Sequence, residues 1–456
     1  MAESAHGIDP LVTVVEKQME RWNVPGYALG ILEHGEVQTA SRGIANLHTG
    51  YEMRDDTILQ IGSISKIFTT TLIMQLVDEG LIDLDSPVSR YLPGVRITTS
   101  ATQDSIRVRQ LFTHTSGMFG DHFDDFGWGD DALEKYVESL ANIHQVYEPG
   151  SIWSYTNSGF DLAGRIVELL LDTTFEDAVR ERIFKPLGME QSFYFAHEAI
   201  TYPVSAGHSL IEPDKDDVEV ARRWPIPRSS GPAGSISSTV GDMLKFARFH
   251  LTGETEDGSK LLSDAAREAM QHVEVEPAGM ADAWGLGWQI NFVGGAKVIG
   301  HGGTTNGFQA HLDLVPEHEF AVVSLTNSAR GAAAYREVTR AALKEYCGLE
   351  AADPPEINLE ASVLGEYEGS YRQPMADIEV SAIDNGVQIS VTSRSPLADD
   401  DEEERKQPPV VATPAEKDRL VIREGPMAGL RVDFIRRDDG HIRFIRFGGR
   451  VAPRSG

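Results

Sequence analysis

The sequence predicts an α/β (α+β) domain over residues 1–350 followed by an all-β barrel domain over residues 360–456. Three observations lead there. Near the start a helical periodicity is followed by a hairpin. Strand-like runs return from residue 288, and beyond residue 360 short alternating runs are separated by turn residues.

The elements follow in order. Leu11, Val14, Val15, Met19 and Trp22 recur at helical spacing, predicting a helix over Pro10–Trp22 with one buried face. Tyr27–Glu33 and Val37–Arg42, split by His34-Gly35-Glu36, read as a hairpin. Ser63–Glu79 reads as a long helix closed by Gly80. The middle of the chain is helical and loop-rich, with a helix at Phe160–Leu171 and an acidic loop at Asp121–Asp131. Strands are expected at Trp288–Val293, Lys297–Ile299, Gln309–Val315 and Phe320–Thr326, before a helix over Ala333–Tyr346. A sheet begun near the N-terminus and completed here accounts for both sets of strands. Cys347–Pro355 reads as a linker. The barrel's hairpin turns are Asp384-Asn385-Gly386 and Asp438-Asp439-Gly440, and its last strands are Val432–Ile435 and Ile442–Phe447. The six consecutive acids Asp399–Glu404 read as a solvated loop.

Composition narrows the function. The 456 residues carry 41 Lys plus Arg against 70 Asp plus Glu, a formal charge of −29, which repels phosphate backbones and argues against nucleic acid as a partner. With 41% hydrophobic residues the chain can build a sizeable core. The single Cys347 cannot form an intramolecular disulfide, and no Cys/His group has zinc spacing, so neither metal nor cofactor is expected. The N-terminus lacks the basic and apolar regions of an export signal, and the apolar stretch Ile67–Val77 is interrupted by three threonines and a glutamine, so a cytoplasmic, non-membrane protein is expected.

The sharpest chemical signal is Ser63-Ile64-Ser65-Lys66, where an apolar segment meets the start of a helix. At i and i+3 the hydroxyl and the amine share a face, and the helix N-terminus favours negative charge developing near Ser63. Alone, the same four residues also describe a Ser N-cap followed by a surface Lys. Tyr155-Thr156-Asn157 and Gly300-His301-Gly302-Gly303-Thr304 stand downstream, in that order.

With these three motifs the sequence resembles the serine β-lactamase and penicillin-binding-protein superfamily, in its class C and D-peptidase-like branch. Leu111–Gly117, Glu148-Pro149-Gly150, Phe184–Met189 and Trp284–Trp288 extend the resemblance over about residues 10–345. It implies a β-lactamase-like/transpeptidase fold with a lipocalin-like barrel appended. It makes Ser63 the nucleophile, Lys66 its partner and Tyr155 a second proton carrier, ionised more readily beside a cation. Asn157 would bind the substrate amide, and the backbone N–H groups of Ser63 and Thr304 would form the oxyanion hole. His301-Gly302-Gly303 replaces the superfamily's Lys-Thr-Gly, exchanging a fixed cation for an imidazole, which argues against β-lactamase activity. His301 is read as catalytic, orienting Tyr155 or binding a carboxylate, against the alternative of a structural turn histidine. Gly302 and Gly303 allow substrate to approach the strand edge. Trp153 and Trp224 either wall an acyl pocket or pack in the core. Of the barrel's dense arginines, Arg446 either reaches the cleft or, like the rest, pairs with nearby acids. His114 reads as structural and His122 as exposed.

The resemblance is strongest to the stand-alone penicillin-binding-protein-type thioesterases of the surugamide type, which cyclise nonribosomal peptides. It implies a peptidyl thioester substrate, a peptidyl carrier protein of a nonribosomal peptide synthetase as partner, and head-to-tail release with a D-residue at the C-terminal end. The alternative is a D-stereospecific peptidase, amidase or esterase using the same serine, and a third reading is a binding protein that has kept only the shell.

Overall fold

The computed structural model describes residues 7–99, 104–212, 214–215, 217–276, 279–394 and 404–455. Helix α1 (Asp9–Trp22) leads into β1 (Gly26–Glu33) and β2 (Glu36–Asn46), joined by a turn with His34 and Gly35 both at positive φ, as a tight hairpin requires. After the short β3 (Tyr51–Glu52) come the helices α2 (Ser65–Asp78), α3 (Ser158–Leu171) and α4 (Val240–Thr252). The chain then returns to the sheet through β4 (Ala283–Trp284), β5 (Gln289–Val293), β6 (Ala296–Thr305), β7 (Phe308–Val315) and β8 (Phe320–Thr326), and closes with α5 (Gly331–Cys347).

These strands form one antiparallel sheet in the order β3-β2-β1-β8-β7-β6-β5-β4. The N-terminal hairpin and the late strands meet at β1 and β8, where Leu29 lies opposite Ser324. Helices α1 and α5 cover one face over a core that includes Leu11, Val15, Leu29, Val322 and Val338. A larger core, built around α2, covers the other. Every residue of α2 from Ser65 to Leu76 is buried. Its threonines are tolerated there because Thr69 donates to Pro232 O at 2.6 Å, and Thr70 and Thr71 donate back to the carbonyls of Lys66 and Ile67.

Two elements differ from the sequence reading. The expected helix from Ser63 begins as a single 3-10 turn, Gly62–Ile64, and becomes α-helical at Ser65. The Gly300–Thr304 motif, expected between two strands, lies inside the ten-residue β6. Its glycines lower strand propensity in sequence, yet the packing demands them: a Cβ on Gly300 would sit 1.9 Å from Asp313 Oδ1, and one on Gly303 would sit 1.9 Å from Ile61 O.

Among the described residues the C-terminal region is an up-and-down barrel of eight successive strands, β9 (Gly369–Gln373), β10 (Ala376–Ile383), β11 (Gly386–Ser393), β12 (Val410–Glu416), β13 (Arg419–Ile422), β14 (Arg431–Arg436), β15 (Ile442–Phe447) and β16 (Arg450–Pro453), with the short strand Arg405–Lys406 paired beside β11. The seam closes where Tyr371 bridges Arg454 and Ser455 N–H donates to Ser370 O at 2.8 Å. Side chains fill the interior, with Tyr367 stacked on Phe434 at 4.2 Å. Five of the six acids of the Asp399–Glu404 run lie outside the described residues, and Glu404 pairs with Arg394.

The barrel is fastened to the α/β region next to the second motif. Gly449 O, in the turn between β15 and β16, accepts Tyr155 N–H at 2.9 Å, and Val451 N–H donates to Ser154 Oγ at 3.1 Å. Arg431 donates to Ala281 O and Asp282, and Tyr147 packs with Phe444 and Val451. No helix among the described residues is long and apolar enough to cross a membrane.

Candidate active site

Ser63 is presented by a sharp turn. The strand pair Leu59–Gln60 with Ser237–Ser238 runs into Gly62, whose φ of 54° suits glycine, and the chain then enters α2. Gly62 and Gly303 let this turn cross β6 closely. A Cβ on Gly62 would lie 2.6 Å from Thr304 N, and one on Gly303 would lie 3.1 Å from Ser63 N. The backbone nitrogens expected to form the oxyanion hole are therefore brought together by two positions that tolerate no side chain. A preorganised donor of this kind is worth about 3 kcal/mol of transition-state stabilisation.

Lys66 is fully buried, and its Nζ meets Ser63 Oγ at 3.1 Å, Asn157 Oδ1 at 2.6 Å and Ala233 O at 2.7 Å. Burial, countered in part by Asp161 and reinforced by Arg450, lowers its pKa to about 7. A neutral amine has two hydrogens and one lone pair. The two carbonyl oxygens take the hydrogens, so the lone pair is left facing the Ser63 hydroxyl. That is the arrangement of a general base.

Asn157 precedes α3 as its N-cap, but its side chain makes no capping bond. Its Oδ1 receives Lys66, and its Nδ2 donates to Asp121 Oδ1 at 2.8 Å. The expected amide-binding residue is thus occupied as a link between two charged groups, with one N–H left over. Asp121 in turn accepts from Arg450 Nε at 2.8 Å and Nη2 at 3.1 Å, while the Arg450 guanidinium lies 4.8 Å over the Tyr155 ring. A continuous chain of contacts therefore joins Arg450, Asp121, Asn157, Lys66 and Ser63.

Tyr155 is buried beside Ser63, and burial raises its pKa well above the ordinary value despite the opposing Ser63 hydrogen bond. The expectation of an easily ionised phenol is corrected: desolvation outweighs any neighbouring cation, and Lys66 is itself half-neutral near pH 7. Tyr155 is therefore a protonated donor in the resting site. His301 is corrected in the same sense. Burial, then the Lys66 charge, pushes its pKa down to about 3, so it offers no cation to a carboxylate. Its Nδ1 is 2.5 Å from Gly302 O, its Nε2 is buried without a partner among the described residues, and its ring stands 6.1 Å from that of Tyr155.

These groups line a cleft of about 370 Å³ that includes Ser63, Tyr155, Asn157, His301, Gly302, Gly303, Thr304 and Arg450. Phe123, Met280, Gln289 and Tyr335 are among its other walls. Three sequence expectations fall outside it. Trp153 is buried against Trp284 and His114, and Trp224 donates its indole N–H to Ser205 O and lines a separate cavity with Gln60 and Tyr194. Arg446 lies 5.8 Å over Trp153 and 3.5 Å from Asp433, away from Ser63. The barrel arginine in the cleft is Arg450, because the Gly448-Gly449 turn points it there. His114 accepts Thr156 N–H at 3.0 Å and stacks on Tyr155, and His122, read as exposed, is half-buried with its Nε2 2.7 Å from Ser139 Oγ.

Sequence reasoning missed Asp121, Asp161 and Arg450. Asp161 lies one turn beyond Asn157 on α3. It is fully buried, and burial raises its carboxyl pKa well above the usual range against the pull of Lys66. For Arg450 the signal was present as an arginine next to a double-glycine turn. For Asp121 it was hidden among the acids of its loop.

Replacing Arg450 with Met is expected to move the pH profile as well as the rate. Removing a nearby cation and unpairing Asp121 both favour the Lys66 ammonium, so its pKa rises and the acid limb of serine acylation shifts to higher pH. Stopped-flow acylation between pH 5 and pH 9 measures the limb, and an unshifted limb would show that the chain of contacts does not reach Lys66.

A serine delivered by a glycine turn, a buried lysine facing it, and a tyrosine beside both define a serine acyl-transfer site on a β-lactamase-like fold. Residues 11–346 match the Beta-lactamase family model, and the chain belongs to that family, whose members are serine hydrolases or acyltransferases. Over 362 residues it is 34% identical to penicillin-binding protein 4 of Amycolatopsis lactamdurans, covering 76% of this chain and 93% of that one. In structure it is similar to SurE, with a TM-score of 0.74 at 23% identity over 98% of this chain and 99% of that one. It also resembles the octameric penicillin-binding protein homologue from Pyrococcus abyssi, with a TM-score of 0.66 at 22% identity, again over 98% and 99%.

Proposed function

We propose that this protein is a penicillin-binding-protein-type thioesterase that accepts a peptidyl group from a carrier-protein thioester onto Ser63 and releases it by head-to-tail closure. The observation that carries the reading is the combination of a neutral-lysine acyl-transfer site with a barrel that supplies Arg450 to the same cleft. The likeness to SurE extends through both regions of the chain, and SurE has been solved with D-Leu, which favours a D-residue at the acyl end.

In acylation, Ser63 Oγ attacks the thioester carbon while its proton passes to Lys66 Nζ, and the Ser63 and Thr304 amides receive the developing oxyanion. The C–S bond then breaks, and the departing sulfur takes a proton from Lys66, with Tyr155 as the second donor beside Ser63. In release, the peptide's own amine attacks the ester carbon and gives a proton back to Lys66. A C–N bond forms, the C–O bond to Ser63 breaks, and Ser63 Oγ regains its proton. Holding amine and ester in one partly enclosed cleft raises their effective concentration over that of water.

The test offers the protein N-acetylcysteamine thioesters of a linear peptide ending in a D- or an L-residue and identifies products by mass. The expected result is a cyclic peptide from the D-ended donor, lost in Ser63→Ala. Linear acid alone from the D-ended donor would transfer the assignment to a D-stereospecific peptidase, amidase or esterase with the same serine. That second reading uses the same Ser63 and Lys66, with water in place of the peptide amine.

A further inference from the structure

Most polar groups of the Ser63 cleft are committed to one another. Lys66 donates to Asn157, Asn157 to Asp121, and Arg450, the one charged residue lining the cleft among the described residues, also to Asp121. His301 Nε2 is sealed from solvent. Gln289 stands apart. It lines the cleft and is only 9% exposed, and its carboxamide makes no hydrogen bond among the described residues, yet neither amide atom is sealed. Its place in the sheet explains this. Gln289 opens β5 abreast of Gly300 on β6, with Asp313 next in the row on β7, and residues abreast share a face. Asp313 Oδ1 fills the space above Gly300, 1.9 Å from where a Cβ would be, and the other Asp313 oxygen meets His311 Nε2 at 3.1 Å. The way across the sheet is thereby closed to the Gln289 side chain, which is left facing the cleft.

A largely buried carboxamide without a partner is costly, and its oxygen is matched by an N–H. Gly303 borders Ser63, and Gln289 stands three residues further back, about 10 Å along the strand. A glutamine side chain, a hydrogen bond and a two-carbon link together span that length. Acyl transfer from a carrier thioester to a peptide amine supplies a suitable N–H twice, at the same reach. In the arm that leaves, the sulfur is followed by two carbons and then an amide N–H. In the peptide that arrives, the attacking nitrogen is followed by two carbons, Cα and the carbonyl carbon, and then the next amide N–H. The departing and arriving atoms occupy the same place against the acyl carbon in turn, so one acceptor serves both.

We propose that Gln289 is a specificity-determining residue that accepts the N–H of a secondary amide two carbons from the exchanging atom, first on the departing thiol arm and then on the arriving peptide. The inference rests on the thioesterase reading above and deepens it. The opposite end of the cleft, walled by Phe123, Ile226, Ala233 and Gly234, is apolar and suits the side chain of the acyl residue, which leaves the Gln289 end to the exchanging partner.

Two competitions test it, each read by mass as a ratio of products, so that the fraction of correctly folded protein cancels. In the first, the N-acetyl-D-leucine thioesters of N-acetylcysteamine and of 2-acetoxyethanethiol, which carries an ester oxygen in place of the N–H, are mixed and the released thiols compared. In the second, the acyl group passes from N-acetylcysteamine to alanine N-methylamide or to alanine methyl ester, and the acylated amines are compared. The wild type is expected to favour the N–H partner about tenfold or more in both, because a site built to hydrogen-bond a group rejects the analogue that lacks it. Gln289→Met, close in size, is expected to bring both ratios to within about twofold of unity. Equal use of either pair by the wild type, or a donor preference that survives Gln289→Met, would overturn the proposal. Preference in the first competition with water as the sole acceptor in the second would end the cyclisation reading alone and sustain the role of Gln289 at the departing arm.

Discussion

Ser63→Ala protein is expected to fold normally and to lose acyl transfer by about 10⁴- to 10⁶-fold, the range seen when the nucleophile of an acyl-enzyme pathway is removed. The size follows from geometry. Ser63 Oγ is the hydroxyl that the lone pair of Lys66 faces, and it stands where the turn and β6 bring two backbone nitrogens together. The fold should survive because the neighbouring contacts are independent of this oxygen: Lys66 keeps Asn157 and Ala233, and Asp121 keeps Arg450. Intact-protein mass after exposure to an activated ester gives the direct reading, with one acyl group on the wild type and none on the variant. Turnover within tenfold of wild type would mean that another group carries the acyl chain.

The second large effect belongs to Lys66. In the wild type the acylation rate should rise tenfold per pH unit below about 7 and level off above it, because the neutral amine is the active form and its pKa is lowered to about 7. Lys66→Met keeps the bulk of the stem while removing the base, so the pH limb should vanish and the rate should fall by about 10³-fold or more, within the range general-base catalysis supplies. Asp121→Asn provides the converse check. Loss of a neighbouring negative charge disfavours the ammonium, and the limb should move to lower pH. A limb that persists in Lys66→Met would assign it to a different group.

What was legible in the sequence and what was not divides by distance along the chain. Ser63 and Lys66 lie one helical turn apart, so local spacing suffices to pair them, and the residue types of Tyr155 and His301 in their motifs carry recognisable chemistry. The strands that border β1 were readable because Phe320–Thr326 is a dense β-type run. Arg450 was not readable, because the seven arginines from Arg431 to Arg454 look alike until docking decides which one the Gly448-Gly449 turn aims inward. The protonation states were equally hidden. Burial dominates at Lys66, Tyr155 and His301, and burial is a property of the assembled cleft. Trp153 misled for a related reason: an indole suits an acyl pocket and a core equally well, and here packing with Trp284 and His114 claims it.

The seam of the barrel also sets a schedule. The reactive serine leaves the ribosome well before the arginine that completes its charge network and before the strand that closes the seam at Tyr371 and Arg454. Domains fold as they emerge, so until Arg450 has been made the chain carries the nucleophile without its finished surroundings. An unfinished or prematurely stopped polypeptide lacking Arg450 therefore leaves Asp121 unpaired and the base mistuned.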